Sequence, residues 1–301
     1  MQLLPDASVI LPGMSVKSSI KLRITIVGAG NVASALATSL RDAGYKIGQI
    51  ISRAGASSLR RAKLLARQAR TVATTAEQVL ITSDVVWFCV PDKSIADAAK
   101  SLAAAADWHG KIALHSSGAL TSDELATLRR RGAAVASAHP LMTFVRNSRP
   151  SLAGVPFAIE GSPKAAHAAR AIVLDLGGKP FSIEKRHKEA YHAWGMFASP
   201  LFTALLAASE CVAEAAGISR KTARNRALPI LKQTLANYER LGAPGAFSGP
   251  IARGDVATVR KHLSVLQKIP QAKDVYLALA RAALLDLPVK NRNRLEKILK
   301  R

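Results

Sequence analysis

Four short segments carry side chains able to move a proton or hold an oxygen. His115-Ser116-Ser117-Gly118 sets one imidazole beside two hydroxyls, and His139-Pro140 places a histidine where the proline ring restricts the preceding backbone. His187 and His192 lie five apart, and His192, Met196 and Ser199 recur at i, i+4 and i+7, which is one face of a helix. Pro200 has no N–H for the Met196 carbonyl, so that helix should kink and leave a free acceptor beside Ser199. In the compact turn from Ser248 to Asp255, Asp255 is a ready helix N-cap, which leaves Arg253 to clamp an anion. Imidazoles, hydroxyls and a guanidinium suit general acid–base work on a small oxygen- or nitrogen-bearing molecule. Each segment also has a plainer reading: a serine turn that caps a helix, a histidine satisfied in the core, or a strand stop.

The elements that must position them begin with a β-branched run at 22–27, followed by Gly28-Ala29-Gly30-Asn31-Val32-Ala33 and a helix to about residue 43. Gly28 permits a sharp turn, Gly30 allows backbone to approach a pyrophosphate, and Ala33 is the third small position, against the strand. The helix N–H groups would then face phosphates. A second strand at 47–51 ends at Ser52-Arg53, where a carboxylate would otherwise bind a ribose 2′-hydroxyl. No Asp or Glu occurs between Gly44 and Ala76, whereas Lys46, Arg53, Arg60, Arg61, Lys63, Arg67 and Arg70 do. Positive charge there suits a 2′-phosphate, and so NADP(H) rather than NAD(H).

Strands at 71–72, 84–90, 111–115 and 133–138 alternate with helices at 56–68, 75–81, 94–105 and 121–130. Elements at 155–159, 163–176 and 179–183 extend the sheet edge. This predicts a doubly wound Rossmann-type α/β sheet. Ligands lie beyond the carboxyl ends of such strands, which gives the residues after them their interest. Val90-Pro91-Asp92 should pass beside the cofactor, Ser116 or His115 should orient a substrate atom with Ser117 nearby, and His139 or His192 should handle the proton. Strand signals stop at about residue 184, and helices follow at 219–241, 255–267 and 272–285, broken near Gly217, at 242–245, at Gly249-Pro250, and at Pro270 and Pro288. The expected division is a disordered extension or over-called start over 1–20, a Rossmann-like domain over 21–183, and an all-α domain over 184–301. Ser199 and Arg253 would reach the substrate from the helical side of a cleft between the two.

The net charge of +23 on 301 residues is divided almost evenly, +11 over 1–185 and +12 over 186–301. A spread excess favours solubility and anionic ligands over a single nucleic-acid footprint. The exceptions are the tail over 290–301 and the helix over 57–70, whose basic faces could touch a polyanion and are more simply solvated. Cys89 and Cys211 sit among apolar neighbours without metal-ligand spacing, as reduced thiols in a cytoplasmic protein would. No signal peptide is evident. Residues 190–209 carry no formal charge, yet His192, Trp194, Ser199, Pro200 and Thr203 interrupt them. A helix buried on most sides fits them better than a membrane span.

Together GAGNVA (28–33), FCVPD (88–92), LHSSGAL (114–120), SAHPLMTF (137–144), YHAWGMFAS (191–199) and SGPIARGD (248–255) resemble a bacterial family that pairs a Rossmann-like domain with a domain of the DUF2520 class. The match covers roughly 21–275. It implies an NADP oxidoreductase of the 6-phosphogluconate dehydrogenase-like superfamily, alongside pyrroline-5-carboxylate reductase and prephenate dehydrogenase, and a homodimer formed through the helical domain. His139-Pro140 and the pair His187 and His192 are similar to prephenate dehydrogenase, but its His-Asp is His187-Lys188 here. Pro200 stands where the family would carry Asn, and no lysine is read on the His192, Met196 and Ser199 stripe, which argues against chemistry based on a helical lysine. The expectation is an NADP(H)-dependent oxidoreductase moving a hydride to or from a small anionic substrate. The competing reading is a non-catalytic NADP(H)-binding sensor or scaffold with a basic partner surface.

Overall fold

A computed structural model describes residues 21–300 except Asn147 and Arg149. The extension over 1–20 lies outside the described residues. The chain divides into two compact units, Met1–Ala193 and Trp194–Arg301, ten residues later than the strand signals alone would place the division. The first turns of the dividing helix belong with the sheet because Lys188 and Tyr191 are buried there.

In the first unit β1 (Ile24–Val27), α1 (Asn31–Asp42), β2 (Ile47–Ser52), α2 (Ala56–Gln68), β3 (Val72–Thr75), β4 (Val85–Phe88), α3 (Ile95–Ser101), β5 (Ile112–His115), α4 (Ala126–Arg129) and β6 (Ala134–Pro140) alternate as expected. They are followed by β7 (Pro156–Gly161), α5 (Pro163–Asp175), β8 (Lys179–Ser182) and α6 (Lys188–Met196), in which the unit ends. One eight-stranded sheet runs β3-β2-β1-β4-β5-β6-β7-β8. β1 to β6 are mutually parallel, β7 is antiparallel to β6, and β8 is parallel to β7. Strand order reverses between β1 and β4, and a crevice opens beyond their carboxyl ends at such a switch point.

The apolar runs follow from burial on both faces. Ile24, Ile26 and Trp87 join one core with residues of α1, α2 and α5, and Val27, Val86 and Phe88 join another with residues of α3 and α4. Two local expectations change. The helix expected over 75–81 is absent, because the β-branched Thr74 and Thr75 continue β3 against Ile51 and Ser52. His139-Pro140 is the end of β6 rather than a loop after it: β7 pairs His139 with Ala158 and Pro140 with Phe157, beyond the last β5 register at His115 and Ser137.

The second unit contains α7 (Phe202–Ala215), α8 (Arg220–Ala246), α9 (Pro250–Arg253), α10 (Val256–Leu266), α11 (Pro270–Asp286) and α12 (Arg292–Leu299). Gly242, at φ +66°, breaks α8 at the expected turn. Asp255 caps α10 by accepting from the Thr258 N–H at 3.0 Å. Leu295 and Leu299 of α12 join Val259, Leu277, Ala280 and Leu284 in a core, which turns the basic side chains of the tail outward. Pro200 sits in a π-helical turn, Phe197–Leu201, whose wider spacing accommodates the missing donor. The stretch Lys185–Ala215 is long and apolar enough to cross a membrane by length and composition. The expectation of a helix buried on most sides over 190–209 is corrected, since of those residues only Tyr191 is buried in the single chain.

Candidate functional site

β1 delivers the chain to a turn at which only glycine fits. Gly28 has φ +112°, and a Cβ there would lie 2.4 Å from the Cys89 carbonyl oxygen at the end of β4. Gly30 is the N-cap of α1, and nothing lies within 4 Å of where its Cβ would be. Ala33 is fully buried behind it. The space Gly30 leaves bare opens on a cleft of about 870 Å³ lined by Gly28, Ala29, Gly30 and Asn31. Val90 and Pro91 line its β4 side. Val32 is partly buried against the core instead of lining the cleft, because α1 has begun and its side chain turns inward. The Asn31 amide donates to the Phe144 carbonyl at 3.0 Å, tying the glycine turn to the loop after β6.

Ser52 and Arg53 line the same cleft, together with Ser58 and Arg61 of α2. Ser52 is the buried last residue of β2 and Arg53 is exposed. Arg146 adds a third guanidinium, from the β6–β7 connection, and Asp97 of α3 is the acid among the lining residues. Ser58 was not assigned from sequence, and Arg61 only as one of seven basic residues, although their i, i+3 spacing on the helix after β2 carries the signal. The donor set at the β2 end is hydroxyl and guanidinium, with no carboxylate between Gly44 and Ala76 to oppose a phosphate. The bare backbone at Gly30, the cleft's size and this donor set fit a phosphorylated dinucleotide.

A second cluster gathers where β5, β6 and α6 meet. His115 is fully buried; its Nε2–H donates to the Thr121 carbonyl at 2.9 Å and its Nδ1 accepts from the Ser117 N–H at 3.1 Å. Both ring nitrogens serve the backbone, and burial pushes the ring's pKa down to about 4. His115 therefore has no nitrogen left to orient a substrate, and its place in the core follows from being the last residue of β5. Ser116 accepts from the Trp87 indole N–H at 2.9 Å, and its hydroxyl also meets Cys89 Sγ at 3.9 Å. Ser117 is buried and occupied, donating to Asp92 Oδ2 at 2.8 Å and accepting from the Leu120 N–H at 2.9 Å. It holds the turns after β4 and β5 together.

His139 and His192 do converge, with ring centroids 6.2 Å apart. A Cβ on Gly118 would lie 2.7 Å from His192 Cδ2 and 2.9 Å from His139 Nε2, so the glycine lets both rings close on the turn. His139 Nδ1 is joined to the Tyr191 hydroxyl at 2.9 Å. Burial, then the charges of Lys188, His192 and His115, lower the His139 pKa to about 4, and burial raises Tyr191 to about 12.

Two residues of this cluster were missed in the sequence, Tyr191 and Lys188. Lys188 precedes His192 by four and so lies on the very helical stripe from which a lysine was thought absent. It is fully buried, donating to the Ser117 carbonyl at 3.0 Å and to Ser137 Oγ at 2.6 Å. Burial lowers its pKa to about 8, against the pull of Glu160 and Asp92. His187 is exposed in the turn before α6 and does not join His192. Ser199 and Arg253 belong to the second unit. The Ser199 carbonyl accepts from Thr203 Oγ1 at 3.1 Å, and Arg253 ends α9 with its side chain exposed.

Residues 11–140 match the model of a Rossmann-like domain and residues 155–283 that of the domain of unknown function DUF2520. No curated protein sequence matches the chain. Among solved structures, a Bacteroides fragilis protein provisionally described as an NADP oxidoreductase superposes with a TM-score of 0.74 at 21% identity, covering 87% of this chain and 97% of its own. An imine reductase from a Pseudomonas species gives 0.63 at 22% identity, over 92% and 99%. An imine reductase from Myxococcus stipitatus in complex with NADP+ gives 0.62 at 17% identity, over 93% and 100%. At these identities the likeness is one of fold.

Proposed function

The chain belongs to the proteins that pair a Rossmann-like domain with a DUF2520 domain, and from that premise we propose that it is an NADP(H)-dependent oxidoreductase acting on a small, anionic substrate. The observation that carries this reading is the cleft at the switch point, where bare glycine backbone faces Ser52, Arg53, Ser58 and Arg61 across a space of about 870 Å³. Solved proteins of the same fold described as binding NADP+ or as NADP oxidoreductases support it. Gly28 to Asn31 would hold the pyrophosphate, with Val90 and Pro91 along the β4 side. The four β2 and α2 side chains would hold the 2′-phosphate. When bound, the nicotinamide donates or accepts the hydride.

The protein's own part is to orient the substrate and move a proton. Ser116, whose hydroxyl sits between the Trp87 indole and Cys89 Sγ, would turn to hold a substrate oxygen or nitrogen. His139, with Nδ1 taken by Tyr191, would exchange a proton at Nε2, and His192 stands beside it as the second candidate. The helical unit would pair with a second copy, a reading supported by Phe197, Ile230 and Tyr238, which are 70%, 68% and 59% exposed. The unpaired thiols of Cys89 and Cys211 fit a cytoplasmic protein.

Fluorescence titration with NADPH and NADH tests the reading. Tighter binding of NADPH is expected. Preference for NADH would overturn the phosphate assignment, and binding of neither would overturn the enzyme.

A further inference from the structure

Two consecutive rungs join α6 to β6. Lys188 Nζ meets Ser137 Oγ at 2.6 Å, and the Tyr191 hydroxyl meets His139 Nδ1 at 2.9 Å. Ser137 and His139 are two apart on one face of the strand, while Lys188 and Tyr191 are three apart on one face of the helix. A third tie runs from Lys188 Nζ to the Ser117 carbonyl, one residue before the glycine wedged between His139 and His192. One side chain thus fixes the turn after β5, the end of β6 and the start of α6.

This ammonium is fully buried, and among the described residues no carboxylate lies within 4 Å of it. Asp92 accepts from Ser117, and Glu160 accepts from the Ser122 N–H and hydroxyl. Desolvating an unpaired ammonium costs several kcal/mol, more than two hydrogen bonds to neutral groups return, so a purely mechanical tie would be made better by an uncharged residue. The charge itself has an effect on its neighbours.

We infer that Lys188 is a positioning residue: it locks the turn after β5 against β6 and α6, and its charge reinforces burial in holding the His139 ring, fixed at Nδ1 by Tyr191, in its uncharged form. The charged and titratable groups facing His139 are Lys188, Tyr191 and His192 from α6 and His115 from β5; β7 sets Ala158 opposite it. Lys188 is the ammonium among them, and with burial leaving its pKa at about 8 it is charged near neutral pH. A second positive charge on the ring is therefore disfavoured throughout the pH range in which an imidazole takes up a proton.

Side-chain NMR of ¹⁵N-histidine protein reads this directly, with the His139 signals identified by their loss in His139→Gln. In the unaltered protein the ring should remain neutral to below about pH 5 and shift a second time near pH 8, as Lys188 titrates. In Lys188→Met the His139 midpoint should rise by about one unit. An unchanged midpoint in a folded Lys188→Met protein would overturn the inference. Should that variant not fold, absence of the second movement near pH 8 in the unaltered protein overturns it equally. The use of a neutral ring in catalysis rests on the proposed function. Loss of that function in a titration with NADPH leaves the NMR result unaffected, so the two fail separately.

Discussion

His115 and His139 differ in what their ring nitrogens have left to give. His115 spends both on backbone, whereas His139 spends one on Tyr191. Both are held near pKa 4 in the folded chain against an ordinary 6.5. A depressed histidine contributes stability that is complete above about pH 6.5 and lost as pH falls toward about 4, because the unfolded chain takes up the proton first. Urea unfolding at pH 7 and pH 5 should show a loss of a few kcal/mol, and His115→Asn should flatten that dependence even though it lowers stability at pH 7. Arg61→Ala should weaken NADPH by about 10- to 100-fold, the worth of a charged hydrogen bond, and leave NADH little changed in parallel fluorescence titrations. Gly118→Ala places a methyl against two packed rings. It should cost about 1–3 kcal/mol in thermal or urea unfolding and displace the His139 and His192 signals in an NMR spectrum.

At the scale of elements, the periodicities of the chain name helices and strands well but give no account of what meets across them. Strand and helix positions around the glycine turn follow the sequence within a residue or two, because burial on both faces demands uniform apolar runs. The helix expected over 75–81 fails because its β-branched start finds a partner strand in β2, a tertiary fact. α12 shows the reverse: a tail that reads as solvated charge is seated by two leucines that are at most 1% exposed. Leu295→Ala should therefore destabilise the helical unit by about 2–5 kcal/mol, measurable as a loss of far-UV ellipticity at lower urea, whereas Lys297→Ala on the outer face should change little.

At the scale of the whole molecule, the exposed apolar faces of α7 and α8 are what a single chain leaves unresolved. Sedimentation of the protein should give the mass of a dimer, and Ile230→Glu should shift it toward the 31.9 kDa monomer without loss of helicity. Sequence by itself determined the α/β order, the glycine turn, and the absence of a carboxylate after β2, since each depends on residues adjacent along the chain. It did not determine the polar cluster around His139, whose members Gly118, His139, Lys188 and Tyr191 are drawn from three separate segments. Lys188 looks like one more charge in a basic run until the packing of α6 on β6 buries it, and His115 looks able to orient a substrate atom until the backbone claims both its nitrogens. Local patterns record which face of an element is apolar; which polar groups remain free is decided only when the elements close on one another.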